Sequence, residues 1–173
     1  MGSAEAIGYE IKPCNMAQRG IRRVASSKPG AWAFSKVLHH ADRRLFAWSE
    51  GRITMPSILA GLPVLMVTTT GAKTGQARTM PLLGVPVGPD LAIIGTNFGQ
   101  ADTPGWVYNL EADPHATIGY CDREVAVVAR LADEEQFDAA VTAAAQVYPG
   151  YDKYRRRIAA RPIRVFVLQP DAP

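Results

Sequence analysis

The strongest constraint on the fold of this chain is a series of short, β-branched apolar runs that begins at Pro63 and lacks regularly placed crossover helices. Pro63-Val-Leu-Met-Val-Thr-Thr-Thr70 lies between Gly61 and Gly71 and predicts a strand. A second extended run covers Ala77 to Val87, where Pro81 and Pro86 favour an edge or a bulge. After the turn Gly88-Pro89-Asp90, Leu91 to Thr96 gives a third strand. His115 to Tyr120 and Glu124 to Leu131 predict a hairpin closed around Asp122, and Ile163 to Leu168 a last strand. Two helices interrupt the series. A short one covers Trp106 to Ala112 and stops at Asp113-Pro114. The other opens at Asp133, with Gln136 spaced for a capping box, and ends at Pro149-Gly150. A basic helical piece follows from Tyr151 to Ala160. Strands in this arrangement suggest a small closed barrel and disfavour a doubly wound parallel sheet.

Ahead of the strands, residues 1–28 show no period and are expected to form a flexible N-terminal arm, leaving 29–173 as a single domain. Phe34, Val37, Leu38, Ala41, Leu45 and Trp48 fall three or four apart, the spacing of an amphipathic helix. Packing on the barrel is its expected role. Its aromatic and basic content also suits a peripheral membrane contact, which stays open. A chain of 173 residues can bury a real core. No apolar run reaches bilayer length. The first thirty residues carry Glu5, Glu10, Lys12, Arg19, Arg22 and Arg23 instead of the apolar centre of a secretory signal, so a cytoplasmic location is expected. The net charge of +3 is a mild bias that suits an anionic small molecule. Without an aromatic ladder or a recognised module, nucleic acid is not an expected partner. Cys14 and Cys121 make no metal or dithiol motif and read as free thiols. His39 and His40 are adjacent and cannot ligate one metal from one helical face. No metal is expected, and monomer and homodimer both stay open.

The chemistry concentrates in Thr68-Thr-Thr-Gly-Ala-Lys-Thr-Gly-Gln-Ala-Arg78, a glycine-punctuated loop between two strands. Its glycines allow tight turning and Lys73 and Arg78 add positive charge. Such a loop can wrap a phosphate with backbone N–H groups and complete the neutralisation with the two cations. It is not a Walker A loop, since GxxxxGK[ST] is missing and no helix follows. From the residues alone, a phosphate cradle and a solvated hairpin are equal readings.

At this point the sequence resembles the deazaflavin-dependent nitroreductases, reductases that use coenzyme F420. The resemblance covers roughly residues 29 to 169. Its motifs are the stretch 69–78, Pro81-Leu82, Thr96-Asn97 with Gly99, Pro104-Gly-Trp106 with Asn109-Leu110, Ala112-Asp-Pro114, and Tyr148-Pro-Gly-Tyr-Asp-Lys-Tyr154. The resemblance implies an α+β, FMN-binding-like split β-barrel of about six mainly antiparallel strands with flanking helices. It also implies roles. Ala72, Lys73 and Thr74, with Arg78, Thr79 and Met80, match the loop that holds the coenzyme phosphate and tail. Ile94, Gly95, Thr96 and Asn97 match the strand end beside the deazaflavin ring. Gly105, Trp106, Val107, Tyr108 and Asn109 match the short helix that flanks the coenzyme. Tyr151 matches an aromatic over the substrate, with Tyr148 and Tyr154 nearby. Departures fall on the ring and acceptor side: Met80-Pro81 stands where Asn-Pro is frequent, Phe98-Gly99 for Gly-Gly, and Trp106-Val107 for Trp-Tyr.

The implied activity is hydride transfer from F420H2 to a small planar acceptor, a quinone or a nitroaromatic. Ile94, Met80, Trp106 and Phe98 are expected to form an apolar slot for the ring. Charge developing on an acceptor oxygen calls for a hydrogen-bond donor, for which Tyr151 is the first candidate and Thr96 the second. Two alternatives remain: an FMN-binding split-barrel reductase, and a non-catalytic F420 carrier in which Phe98 fills the acceptor space.

Overall fold

The computed structural model describes residues 1–10, 64–147 and 162–171, with the side chain of Phe98 left aside. Within these, one curled antiparallel sheet has seven strands. They are β1 (Val64–Thr70), β2 (Ala77–Leu83), β3 (Val85–Val87), β4 (Asp90–Ile94), β5 (His115–Tyr120), β6 (Arg123–Leu131) and β7 (Val165–Pro170). The helices are α1 (Ser3–Ala6), α2 (Gly105–Ala112) and α3 (Glu134–Val147), with a 3-10 turn at Asn97–Gly99.

The strand order is β2-β1-β5-β6-β7-β4-β3. The two outermost strands are therefore consecutive in the chain, joined by Gly84 alone. That single residue carries the chain from one edge of the sheet to the other, so the sheet must curl to make the connection, and β2 also touches β4. The sequence predicts one run over Ala77 to Val87. The structure splits it, which raises the strand count from about six to seven. No side chain fits at the split: a Cβ placed on Gly84 would stand 2.6 Å from Leu65 Cδ1 and 2.9 Å from Leu65 Cγ. Gly84→Ala should therefore cost about 1–3 kcal/mol through overpacking against a side chain with no exposure, measurable as a lowered midpoint in urea unfolding.

Alternation along β4 and β7 separates two cores. Leu91, Ile93, Phe166 and Leu168 face the barrel interior with Leu65, Val67, Ile118 and Val127. Ala92, Ile94, Val165 and Val167 face outward and are covered by Ala140 and Ala144 of α3. Both strands are thus buried on two faces, which is why they read as continuous apolar runs. The capping box at the start of α3 forms as its spacing predicts: the Gln136 N–H donates to Asp133 Oδ1 at 2.8 Å, and the Asp133 N–H to Gln136 Oε1 at 3.2 Å.

A flexible arm is the expectation for residues 1–28, but the first ten are seated on the barrel. Ile7 is buried in the interior cluster. The Ser3 N–H donates to Asp90 Oδ1 at 2.9 Å and the Leu91 N–H to Ser3 Oγ at 2.9 Å. The Tyr9 hydroxyl donates to the Gly84 carbonyl, at the link between the sheet edges. Burial pushes the Tyr9 phenol up, with Tyr120 adding to the shift, so it stays a neutral donor. A stretch that looks aperiodic docks because few residues carry the contacts: one serine, one isoleucine and one tyrosine. Residues 11–28 and the helix expected over Phe34 to Trp48 lie outside the described residues.

Candidate functional site

The inward row of β1 is Leu65, Val67 and Thr69, so its last member places a buried hydroxyl at the end of the barrel. The chain turns there through Gly71–Gln76 and returns as β2, in register from Thr70↔Ala77 to Val64↔Leu83. The turn closes on itself. The Gly71 carbonyl accepts from Thr74 N–H at 3.1 Å and from Gly75 N–H at 2.7 Å, while the Gly71 N–H donates to the Gln76 carbonyl at 2.8 Å. The Gln76 N–H leans on Thr74 Oγ1 at 3.4 Å. A Cβ on Gly71 would meet Thr74 Oγ1 at 2.8 Å and the Gln76 carbonyl at 3.0 Å, so the turn requires glycine there.

These bonds change how the loop can hold an anion. One of the two readings from sequence is a ring of backbone N–H groups around a phosphate, the other a solvated hairpin. Yet Gly71, Thr74, Gly75 and Gln76 spend theirs inside the turn, and Ala72 donates to Asn109. The Lys73 N–H is left, together with two cationic side chains. Lys73 and Arg78 are exposed, and among the described residues neither forms an ion pair with a carboxylate. Gln76 Oε1 accepts from Arg78 Nη2 at 3.4 Å. The loop therefore presents two positive charges that have no carboxylate partner among the described residues. Thr79, expected beside the phosphate, shares a hydrogen bond of 2.8 Å with Thr68 across the strand pair.

Helix α2 links this loop to the end of β4. Asn109 reaches Thr69 and the Ala72 N–H on one side. On the other, Val107 packs over Gly95, whose N–H donates to the Arg164 carbonyl at 2.8 Å. Glu111 pairs with Arg164 at 3.0 Å, holding the helix to the approach of β7. Two of the coenzyme-facing segments implied by the resemblance, 72–80 and 94–97, therefore flank the third, 105–109. At the base of the loop, Asp113 accepts hydrogen bonds from His115 and Thr70, which hold its carboxyl below the ordinary carboxylate range.

Individual side chains divide. Trp106 is only 4% exposed and stacks edge-on against Phe166, with ring centroids 6.0 Å apart. Val107 is equally enclosed, so both side chains are core anchors and what they present outward is backbone. Tyr108 faces solvent, and nothing crowds the position of a Cβ on Gly105. Met80 is half-buried and packs on the interior cluster. Ile94 is turned toward α3 rather than toward the barrel end. Asn97 adopts the left-handed conformation (φ 47°), which Asn tolerates, and its side-chain NH2 donates to the Asp102 carbonyl at 3.0 Å. Thr96 is buried, and among the described residues its hydroxyl has no hydrogen-bond partner. Buried polar groups are normally satisfied, so this hydroxyl is where a polar atom of a bound ring would fit. Tyr148, Tyr151 and Tyr154 lie outside the described residues, as does the Phe98 side chain. Sequence reasoning passed over Thr69, Glu111 and Arg164. For Thr69 the signal was available, as the third inward position of a strand whose first two are apolar.

Comparisons with known proteins show what the chain is similar to. Residues 42–170 match the model of the F420H(2)-dependent quinone reductase family. An F420H(2)-dependent quinone reductase of Mycobacterium tuberculosis is 34% identical over 93 residues, which make up 54% of this chain and 60% of that protein. The chain thus matches about three fifths of that relative's length. Among solved structures, an F420-H2 dependent reductase, FDR-A, superposes with a TM-score of 0.57 at 30% identity, over 62% of this chain and 94% of that one. A second, described as a domain-swapped dimer, gives 0.59 at 26% identity, over 82% of this chain and all of that one. With three quarters of its length inside the family match, the chain belongs to the F420H(2)-dependent quinone reductase family.

Proposed function

We propose that this protein binds F420 and passes hydride from its reduced form to a small planar acceptor, with quinones as the substrate class and nitroaromatics as further acceptors. The observation that carries the reading is the loop with Lys73 and Arg78, cations without a carboxylate partner among the described residues, inside the stretch matched to the family. The coenzyme's chemistry, when bound, is hydride donation from its deazaflavin ring. The chain's own residues bind and orient. Lys73 and Arg78 meet the phosphate and the anionic tail. The Thr96 hydroxyl would donate to a polar atom of the ring, and the backbone of 105–108 would form one wall. Tyr151 is proposed as the donor to the acceptor oxygen on the strength of the resemblance, and solvent serves equally well as the proton source.

None of the helices among the described residues is long and apolar enough to cross a membrane. A peripheral contact would suit a lipid-soluble quinone and is part of this proposal. The test is to mix purified protein with F420H2 and menadione and to follow reoxidation of the coenzyme. Accelerated reoxidation is expected. Tight FMN binding without F420 binding would replace the cofactor assignment. F420 binding without turnover on any quinone or nitro acceptor would leave a carrier.

A further inference from the structure

We infer that Asn109 is a positioning residue for the phosphate loop, acting through a two-ended bridge and not by touching the coenzyme. Its side-chain Oδ1 accepts the Ala72 N–H at 3.0 Å, and its Nδ2 donates to Thr69 Oγ1 at 3.0 Å. The orientation of the amide follows from chemistry. A backbone N–H needs an acceptor, so the oxygen must face Ala72 and the NH2 must face Thr69. Thr69 is itself fixed, 2% exposed, with its hydroxyl 3.5 Å from the Arg78 carbonyl. One side chain thus joins α2, the buried end of β1, the loop and the start of β2.

The bridge has a consequence for the cations. Lys73 follows Ala72 directly, and Arg78 is the residue whose carbonyl lies beside Thr69. Asn109 therefore fixes the backbone on both sides of the charged pair while leaving both charges free. It also removes the Ala72 N–H as a phosphate donor. This role rests on the reading of the loop as the site of the coenzyme phosphate. It assigns Asn109 a task different from the direct contact implied by the family resemblance.

The experiment compares wild-type protein with Asn109→Ala, Thr69→Val, Thr69→Ser and the Asn109→Ala/Thr69→Val double variant. Three quantities are measured: amide hydrogen exchange across 71–76 without coenzyme, F420 affinity, and kcat at saturating F420H2. Asn109→Ala should speed exchange at Ala72 in the coenzyme-free protein. It should weaken F420 binding about five- to thirtyfold, the scale of one or two hydrogen bonds, and leave kcat within about twofold. Thr69→Val should behave alike, the double variant should be no worse than Asn109→Ala, and Thr69→Ser should restore both readouts. If Asn109→Ala does not fold, Thr69→Val and its Ser rescue carry the comparison. Weaker binding with unchanged loop exchange would show direct contact with the coenzyme and overturn the inference. So would faster exchange with unchanged affinity, or additive losses in the double variant. Wild-type protein that binds no F420 would bring down the proposed function and this role together. Wild-type binding with a silent Asn109→Ala would bring down this role alone.

Discussion

With Lys73 and Arg78 both replaced by alanine, F420 should bind about 30-fold more weakly at low ionic strength, and the loss should shrink to a few-fold near 1 M salt. The size follows from the contacts. A charge-assisted hydrogen bond contributes roughly 1.5–3 kcal/mol when shielded from water. Both side chains are exposed, which lowers the figure to about 1 kcal/mol apiece. Two such losses amount to about 2 kcal/mol, or roughly 30-fold in Kd. The salt dependence follows because the Debye length falls from ~10 Å at 0.1 M to ~3 Å at 1 M. The turn itself does not need either side chain: its closing bonds run between Gly71, Thr74, Gly75 and Gln76. The variants should therefore keep the wild-type melting temperature. Calorimetric titration at two salt concentrations checks the prediction. An undiminished affinity at low salt would return the loop to a solvated hairpin, and a salt-independent loss with a lowered melt would indicate damage to the fold.

That experiment addresses a question the residues left evenly balanced. Glycine spacing and two cations made the loop visible, but not how its donors are used. Hydrogen bonds across a turn depend on dihedral angles such as the positive φ of Gly75, and a sequence fixes these only loosely. The strands were legible because burial on both faces of β4 and β7 leaves continuous apolar runs. The need for glycine at 84 was not, because it depends on Leu65, nineteen positions away in sequence, occupying the space a side chain would need. The docked N-terminus was hidden for a related reason: Ser3 matters only because Asp90 and Leu91 come to it. Long-range partners of this kind leave no periodic trace. The family motifs located the segments that meet around α2, while the direction of each side chain had to come from packing.

Trp106 shows that difference most sharply, and Trp106→Ala should destabilise the protein by about 3–5 kcal/mol, the usual range for removing a buried aromatic. For a chain of this size, each kcal/mol lowers Tm by roughly 2–4 °C, so a fall of about 10 °C is expected in a thermal scan. The indole lies in the interior cluster with Val107 and Leu110 of its own helix, and its edge contact with Phe166 joins α2 to β7. Losing it should loosen the helix that carries Asn109. Trp106→Phe separates the two roles open to this residue. As a core anchor, the smaller ring keeps most of the contact and costs about 1 kcal/mol, with F420 affinity nearly unchanged. As a wall of the ring slot, which the motif alone suggests, the same change would weaken coenzyme binding at an unaltered Tm. The 4% exposure of Trp106 favours the first outcome, because an indole already enclosed by the barrel has little surface left for a ligand.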